Sequence, residues 1–245
     1  MYLRALPDAF SWEKNRLARA LDLLDRAIER DPFYGPALAL AAYCRHQLDL
    51  NDWAEDRNTN LRTGLELARR ALRAGPDDPD VLATASFVLG RLGEDIDTAL
   101  GLMDHCLTLH PSFAYGWYIS GLLWLFAGQP DLALEHFETF LRLSPRERLA
   151  SHLTGIGEAL FFSRRFGEAV AKLLASLEQR PGLADTYRFL ASCYAHMGRL
   201  DEGREVVKRL CAISPVVVPS TTPFRNPEHR ELYLSGLRLA AGELA

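Results

Sequence analysis

Residues 113–145 read FAYGWYISGLLWLFAGQPDLALEHFETFLRLSP. Trp117, Gly121 and Trp124 carry one apolar pattern of helical period, and Ala133, Phe137 and Phe140 carry a second. Between them Ala127-Gly128-Gln129-Pro130-Asp131 is turn chemistry, and Pro145 closes the phrase. The stretch therefore predicts a helical hairpin. Gly121 and Ala133 stand where the two helices must approach closely, and the aromatics fill the space towards the next hairpin. A lone hairpin cannot bury such a face, so it needs neighbours of its own kind.

The second half of the phrase recurs along the chain. Small residues Ala20, Gly64, Ala99, Ala133, Ala169 and Gly203 are each followed four residues on by Leu24, Ala68, Met103, Phe137, Leu173 and Val207. Ala27, Ala71, Cys106, Phe140, Ser176 and Leu210 come next, and prolines 32, 76, 111, 145, 181 and 215 close the copies at steps of 44, 35, 34, 36 and 34. A helix-turn-helix period near 34 resembles the tetratricopeptide repeat family. The family's first-helix phrase Trp-x2-Leu-Gly-x2-Tyr is matched by Trp117, Gly121 and Trp124, by Tyr187, Leu190, Ala191 and Tyr194, and loosely by Ile156, Gly157 and Leu160. The resemblance implies an all-α fold, a right-handed α-solenoid of about six hairpins. The expected repeats are 1–33, 34–77, 78–112, 113–146, 147–182 and 183–216, followed by an extended segment and capping helix in 216–245.

The first repeat opens poorly, because Pro7 interrupts Tyr2 to Phe10 and predicts a short or kinked helix. A better one is expected from about Trp12 to Arg30. The chain starts at a repeat boundary with no polar cap before it, which reads as an excised piece of a longer protein. It also leaves Tyr2, Leu3 and Leu6 as an apolar end that a second copy could cover as a homodimer. Gly35-Pro36 and Asp77-Asp78-Pro79-Asp80 are helix starts. The second repeat carries an insertion over 48–60, read as a surface loop or an extended helix, with a partner-contacting role as the alternative. Its acids do not follow a calcium-loop pattern. After Pro215 two prolines and a β-branched run exclude continuous helix, and Asn226-Pro227-Glu228 predicts a last helix from about Pro227 to Ala241.

Composition fits a core of this kind. Of 245 residues 48% are hydrophobic, and the net charge of −4 gives no electrostatic reason to expect nucleic acid or an anionic membrane. Ser112 to Pro130 contains no charge, yet its Gly, Ser and Tyr and its phase with the repeat read as a central helix covered on several sides rather than a membrane span. Cys44, Cys106, Cys193 and Cys211 are scattered, with several at core slots, which predicts reduced thiols and a cytoplasmic setting. His105 and His110 are not spaced to share a metal, and no hydrolase, phosphate-loop or zinc motif is present, so no catalytic residue, metal or cofactor is expected.

What the resemblance offers is a surface. In tetratricopeptide repeats the first helices line the concave side. Counted from the matched phrases, the inward positions are Leu38, Arg45 and His46; Phe87 and Arg91; Tyr115, Tyr118, Leu122 and Phe126; Glu158 and Phe162; and Arg188, Ser192 and His196. Aromatics flanked by Arg and His suit a peptide or protein ligand carrying an acid and an apolar anchor. The alternative is that the aromatics pack on one another and the repeats serve as a spacer or dimerisation module. The Lys/Asn pair of the family's carboxylate clamps is missing, with Arg188 and Ser192 in its place.

A narrower resemblance rests on Tyr-Leu-Arg-Ala-Leu-Pro at 2–7, Ala-Ile-Glu-Arg-Asp-Pro at 27–32, Ala-Arg-Arg-Ala-Leu-Arg-Ala-Gly-Pro-Asp-Asp-Pro at 68–79 and Tyr-Leu-Ser-Gly-Leu-Arg-Leu-Ala at 233–240. These look like the C-terminal repeat region of bacterial multidomain class III adenylate/guanylate cyclases and related transcription regulators. The resemblance implies a signalling context, and none of the cyclase's catalytic residues is present.

Overall fold

The computed structural model describes residues 1–11, 13–93, 95–146 and 150–243. Within them all regular structure is helical: α1 (Tyr2–Ala9), α2 (Lys14–Arg30), α3 (Gly35–Leu50), α4 (Arg57–Ala74), α5 (Pro79–Leu92), α6 (Ile96–Leu109), α7 (Ala114–Ala127), α8 (Pro130–Leu143), α9 (Ala150–Phe162), α10 (Phe166–Gln179), α11 (Ala184–His196), α12 (Leu200–Cys211) and α13 (Pro227–Ala241). The first twelve pair as hairpins. The expected start of a helix at Trp12, the Glu94 of the third turn, and the start of the fifth repeat at 147 lie outside the described residues.

Two compact units make up the chain, Met1–Ile119 and Ser120–Ala245. The last segment belongs with the second unit because α13 packs on α11 and α12.

Local chemistry sets the ends of the helices. Asp78 caps α5 by accepting from the Val81 N–H at 3.0 Å, and Asn226 caps α13 by accepting from the Glu228 N–H at 2.8 Å. Pro7 lies inside α1, which is only eight residues long. The insertion is absorbed partly by longer helices, α3 with 16 residues and α4 with 18 against 14 in α5 and α6. The remaining turn is pinned by Arg57 to Asp49 at 2.6 Å. Three hairpin turns need a left-handed residue and use Gly93, Gly128 and Gly198 with φ of 107°, 85° and 74°; the fifth uses Arg164 at φ 58°.

The small residue that opens each phrase, from Ala20 to Gly203, is buried in all six copies. In residues 120–245 the facing first helices approach closely. A Cβ on Gly121 would lie 2.5 Å from the Phe137 ring, and one on Gly157 would lie 2.7 Å from Leu173 Cδ2, so α7 and α9 rest their glycine backbones on the next helix. The first helices are covered nearly all round: every residue of α11 from Thr186 to Ala195 is buried. The second helices show one buried stripe, as in α12 with Gly203, Val206 and Leu210. Three buried hydroxyls in this unit satisfy one another. Thr154 Oγ1 lies 2.9 Å from Ser176 Oγ and 2.7 Å from Thr186 Oγ1, which ties α9, α10 and α11 together.

α7 has 14 residues, about 21 Å at 1.5 Å per residue and short of a hydrocarbon core. Among the described residues no helix is long and apolar enough to cross a membrane.

Candidate functional site

In each unit the first helices carry the expected inward residues. In residues 1–119 an aromatic set forms on α3 and α5. Tyr43 lies 5.1 Å from Phe10 and 6.4 Å from Phe87 between ring centroids, and His46 meets Phe87 edge-on at 5.2 Å. Phe10 is 45% exposed and Phe87 half-buried, so the set reaches solvent. Gln47 Nε2 donates to the Tyr43 hydroxyl at 2.6 Å and fixes that ring. His46 is buried, and its Nδ1 has no hydrogen-bond partner among the described residues. Burial, with the Arg91 charge adding to it, holds its pKa well below the ordinary histidine value, so the ring is neutral. On α7, Tyr115 and Tyr118 tilt against each other at 6.3 Å. Burial pushes the Tyr115 hydroxyl's pKa upward, with Asp80 as a further cause.

Two expected positions are corrected here. Arg45 faces the second helices: a Cβ on Gly64 of α4 would lie 3.2 Å from Arg45 Cβ, and the Arg45 charge acts on Asp25 of α2. One residue along a helix turns the side chain by about 100°, so His46 and Arg45 cannot share a face. Tyr118, expected to be exposed, is buried.

In residues 120–245 the inward slots are occupied by the segment that follows α12 and by α13. Arg188 is 6% exposed and spends its guanidinium there. It donates to Val216 O at 2.7 Å, to Val217 O at 3.3 Å and to Ser214 Oγ at 3.1 Å, with Asp185 as its counter-ion at 2.8 Å. This corrects the expectation that Arg188 faces a partner on an open surface. Ser192 Oγ donates to Tyr233 O at 2.9 Å. His196 Nε2 lies 2.7 Å from Leu232 O, and because a carbonyl can only accept, that nitrogen carries the proton. Phe224 sits among Phe126 (6.2 Å), Phe162 (4.7 Å), Phe189 (6.0 Å) and Tyr233 (5.7 Å). His229 stacks on Phe162 at 4.7 Å. Arg225 N–H donates to Phe126 O at 2.8 Å, taking one of the carbonyls that α7 leaves unpaired at its C-terminus. Leu122 is buried towards Gly155 of α9, and Glu158 is half-buried.

The sequence reading missed Phe189, Phe224 and Tyr233. Only Phe224 left a signal, as the one aromatic in a proline-bounded stretch. Cys44, Cys106 and Cys193 are buried free thiols, with Cys44 and Cys193 pushed up to about 12 by burial, whereas Cys211 is exposed. Among the described residues no group of three His, Cys, Asp or Glu side chains could hold a metal.

Residues 154–216 match the family model of the tetratricopeptide repeat. The chain is similar in structure to a tetratricopeptide repeat protein from Parabacteroides merdae ATCC 43184, at 16% identity and a TM-score of 0.55 over 99% of this chain and 87% of that one. A thermophilic tetratricopeptide protein of Thermus thermophilus is 24% identical with a TM-score of 0.55, over 73% of this chain and 91% of that one. The APC/C hetero-tetramer Cut9–Hcn1 gives 16% identity and a TM-score of 0.64 over 91% of this chain, which spans 40% of that one. The fold is that of tetratricopeptide repeat proteins. No curated protein matches the chain in sequence. Tetratricopeptide arrays are generally protein-interaction modules, built to present extended binding surfaces.

Proposed function

We propose that this chain is a non-catalytic protein-interaction module that takes a peptide or protein partner on its first-helix face. One observation carries the reading: the first-helix slots of residues 120–245 already hold a stretch of polypeptide, through a guanidinium on main-chain carbonyls and an aromatic anchor in an apolar pocket. That is the chemistry by which grooves hold peptides. In residues 1–119 the corresponding surface offers Phe10, Tyr43 and Phe87 with Arg91 close to His46, which suits an apolar anchor next to an acid. Selection from a displayed peptide library tests it. Substituting Phe87→Ala or Arg91→Ala is expected to weaken the selected peptides roughly tenfold. Unchanged affinity for every selected peptide in both variants would overturn the reading.

The setting we infer is the regulatory region of a larger bacterial signalling protein in the cytoplasm, from the phrases at 2–7, 27–32, 68–79 and 233–240. An open reading frame running upstream into a cyclase or helix-turn-helix domain is the expected result; an unrelated upstream domain would remove the inference.

A spacer or dimerisation role is the second reading. It is favoured by Leu3 at 75% and Phe33 at 80% exposed. Light scattering decides, because a strict monomer at high concentration eliminates dimerisation.

A further inference from the structure

Residues 214–226 join α12 to α13 without regular structure, with Pro219 and Pro223 restricting the backbone to extended forms. The way they are held separates backbone from side chain. Arg188 reads two carbonyls, those of Val216 and Val217, whereas the Val216 side chain itself is exposed. Seven residues beyond Val217, Phe224 supplies the buried anchor, 5% exposed, and Arg225 N–H adds one main-chain bond to α7. The docking is also imperfect. Thr222 Oγ1 and His229 Nδ1 are buried with no hydrogen-bond partner among the described residues, which weakens the bound arrangement relative to the helices beneath it. The helices do not depend on this segment for their own hairpin cores, which are built on Gly121 with Phe137 and on Gly157 with Leu173.

We propose that the face formed by α7 (from Ser120), α9 and the part of α11 around Arg188 is a peptide groove masked in cis by residues 214–226, beside the Ser192 and His196 positions that α13 covers. The external partner it fits is an extended peptide with one phenylalanine-like anchor about seven residues after the carbonyls held by Arg188. This rests on the interaction-module reading and names the ligand of one of its two surfaces. Because recognition falls on carbonyls and a single ring, the groove tolerates varied sequence between them and demands the spacing.

The probe is a fluorescein-labelled peptide of residues 213–226, titrated by anisotropy into the full chain. Phe224→Ala in the chain frees the pocket, so the peptide binds that variant at least roughly tenfold more tightly than it binds the unaltered protein. The same peptide carrying Phe224→Ala does not bind, and adding Arg188→Gln to the freed chain weakens the intact peptide. Equal binding to both chains, or none to either, overturns the proposal. Native-state hydrogen exchange on the unaltered chain covers the case in which the Phe224→Ala variant does not fold. Amides of 215–225 are expected to open at lower denaturant than those of α9 and α11, and a single joint opening overturns the masked groove. The peptide probes only residues 120–245, so its failure leaves the Phe87 and Arg91 test of the broader reading untouched.

Discussion

The two units carry the same repeat phrase and treat its inner face differently. In residues 120–245 the slots at Phe126, Phe162, Arg188, Ser192 and His196 are taken by the chain's own C-terminal segment. In residues 1–119 the slots at Tyr43, His46 and Phe87 pair with one another and with Phe10, which remains partly in solvent. The phrase thus specifies how hairpins stack and leaves the inner face open to assignment. One surface is covered by the chain's own C-terminal segment, and the other keeps the aromatic area of Phe10 partly in solvent.

The contrast is easiest to break at the anchors. Phe224→Ala should cost about 3 kcal/mol, near the lower end for a buried phenylalanine, and half-buried Phe87→Ala about 1–2 kcal/mol. Urea unfolding followed by circular dichroism measures both, and equal costs would remove the distinction between a filled and an open face. Next comes pH. The folded pKa of His46 is depressed, so the native state binds fewer protons than the unfolded one below the ordinary histidine value of 6.5. Stability is therefore present above that value and lost as pH falls through it, by up to about 1.4 kcal/mol per pH unit. Between pH 7.5 and 5.5 His46→Phe should lose less stability than the unaltered chain; parallel loss would mean that the ring is not held neutral. A smaller effect is expected at the fifth turn. Arg164→Gly relieves a left-handed residue and should stabilise residues 120–245 by about 0.5–1 kcal/mol, read as a rise in thermal midpoint. The smallest concerns Leu3→Glu with Phe33→Glu, expected to leave stability within about 0.5 kcal/mol. If the exposed end joins two copies, this pair abolishes the dimer in light scattering.

Much of the stacking was legible because it is local. The residues that open each phrase are buried as the period required, and Asn226-Pro227-Glu228 marked the start of α13 through capping chemistry confined to three neighbours. The occupied face was not legible. Periodicity says that Phe162 and Arg188 are inward, but it carries no information on which distant segment meets them. Arg45 failed for a different reason. Counting from a loosely matched phrase leaves the rotation of a helix uncertain by one residue, and one residue separates a groove from a core. The period places Ser176 in its buried slot but does not reveal the hydroxyl cluster it joins, whose other members come from two more helices.

Gly128 turns the fourth hairpin, and a Cβ there would lie 2.6 Å from that of Asn226, beside the bond from Arg225 to Phe126. Stacked hairpins otherwise touch only their neighbours in sequence and can fray from an end. This meeting, with Phe224 against Phe126, brings the segment before α13 back to the end of α7. A contact between residues about 100 apart in sequence costs more chain entropy than the hairpin pairs, so the segment at Phe224 to Asn226 should reach α7 late in folding.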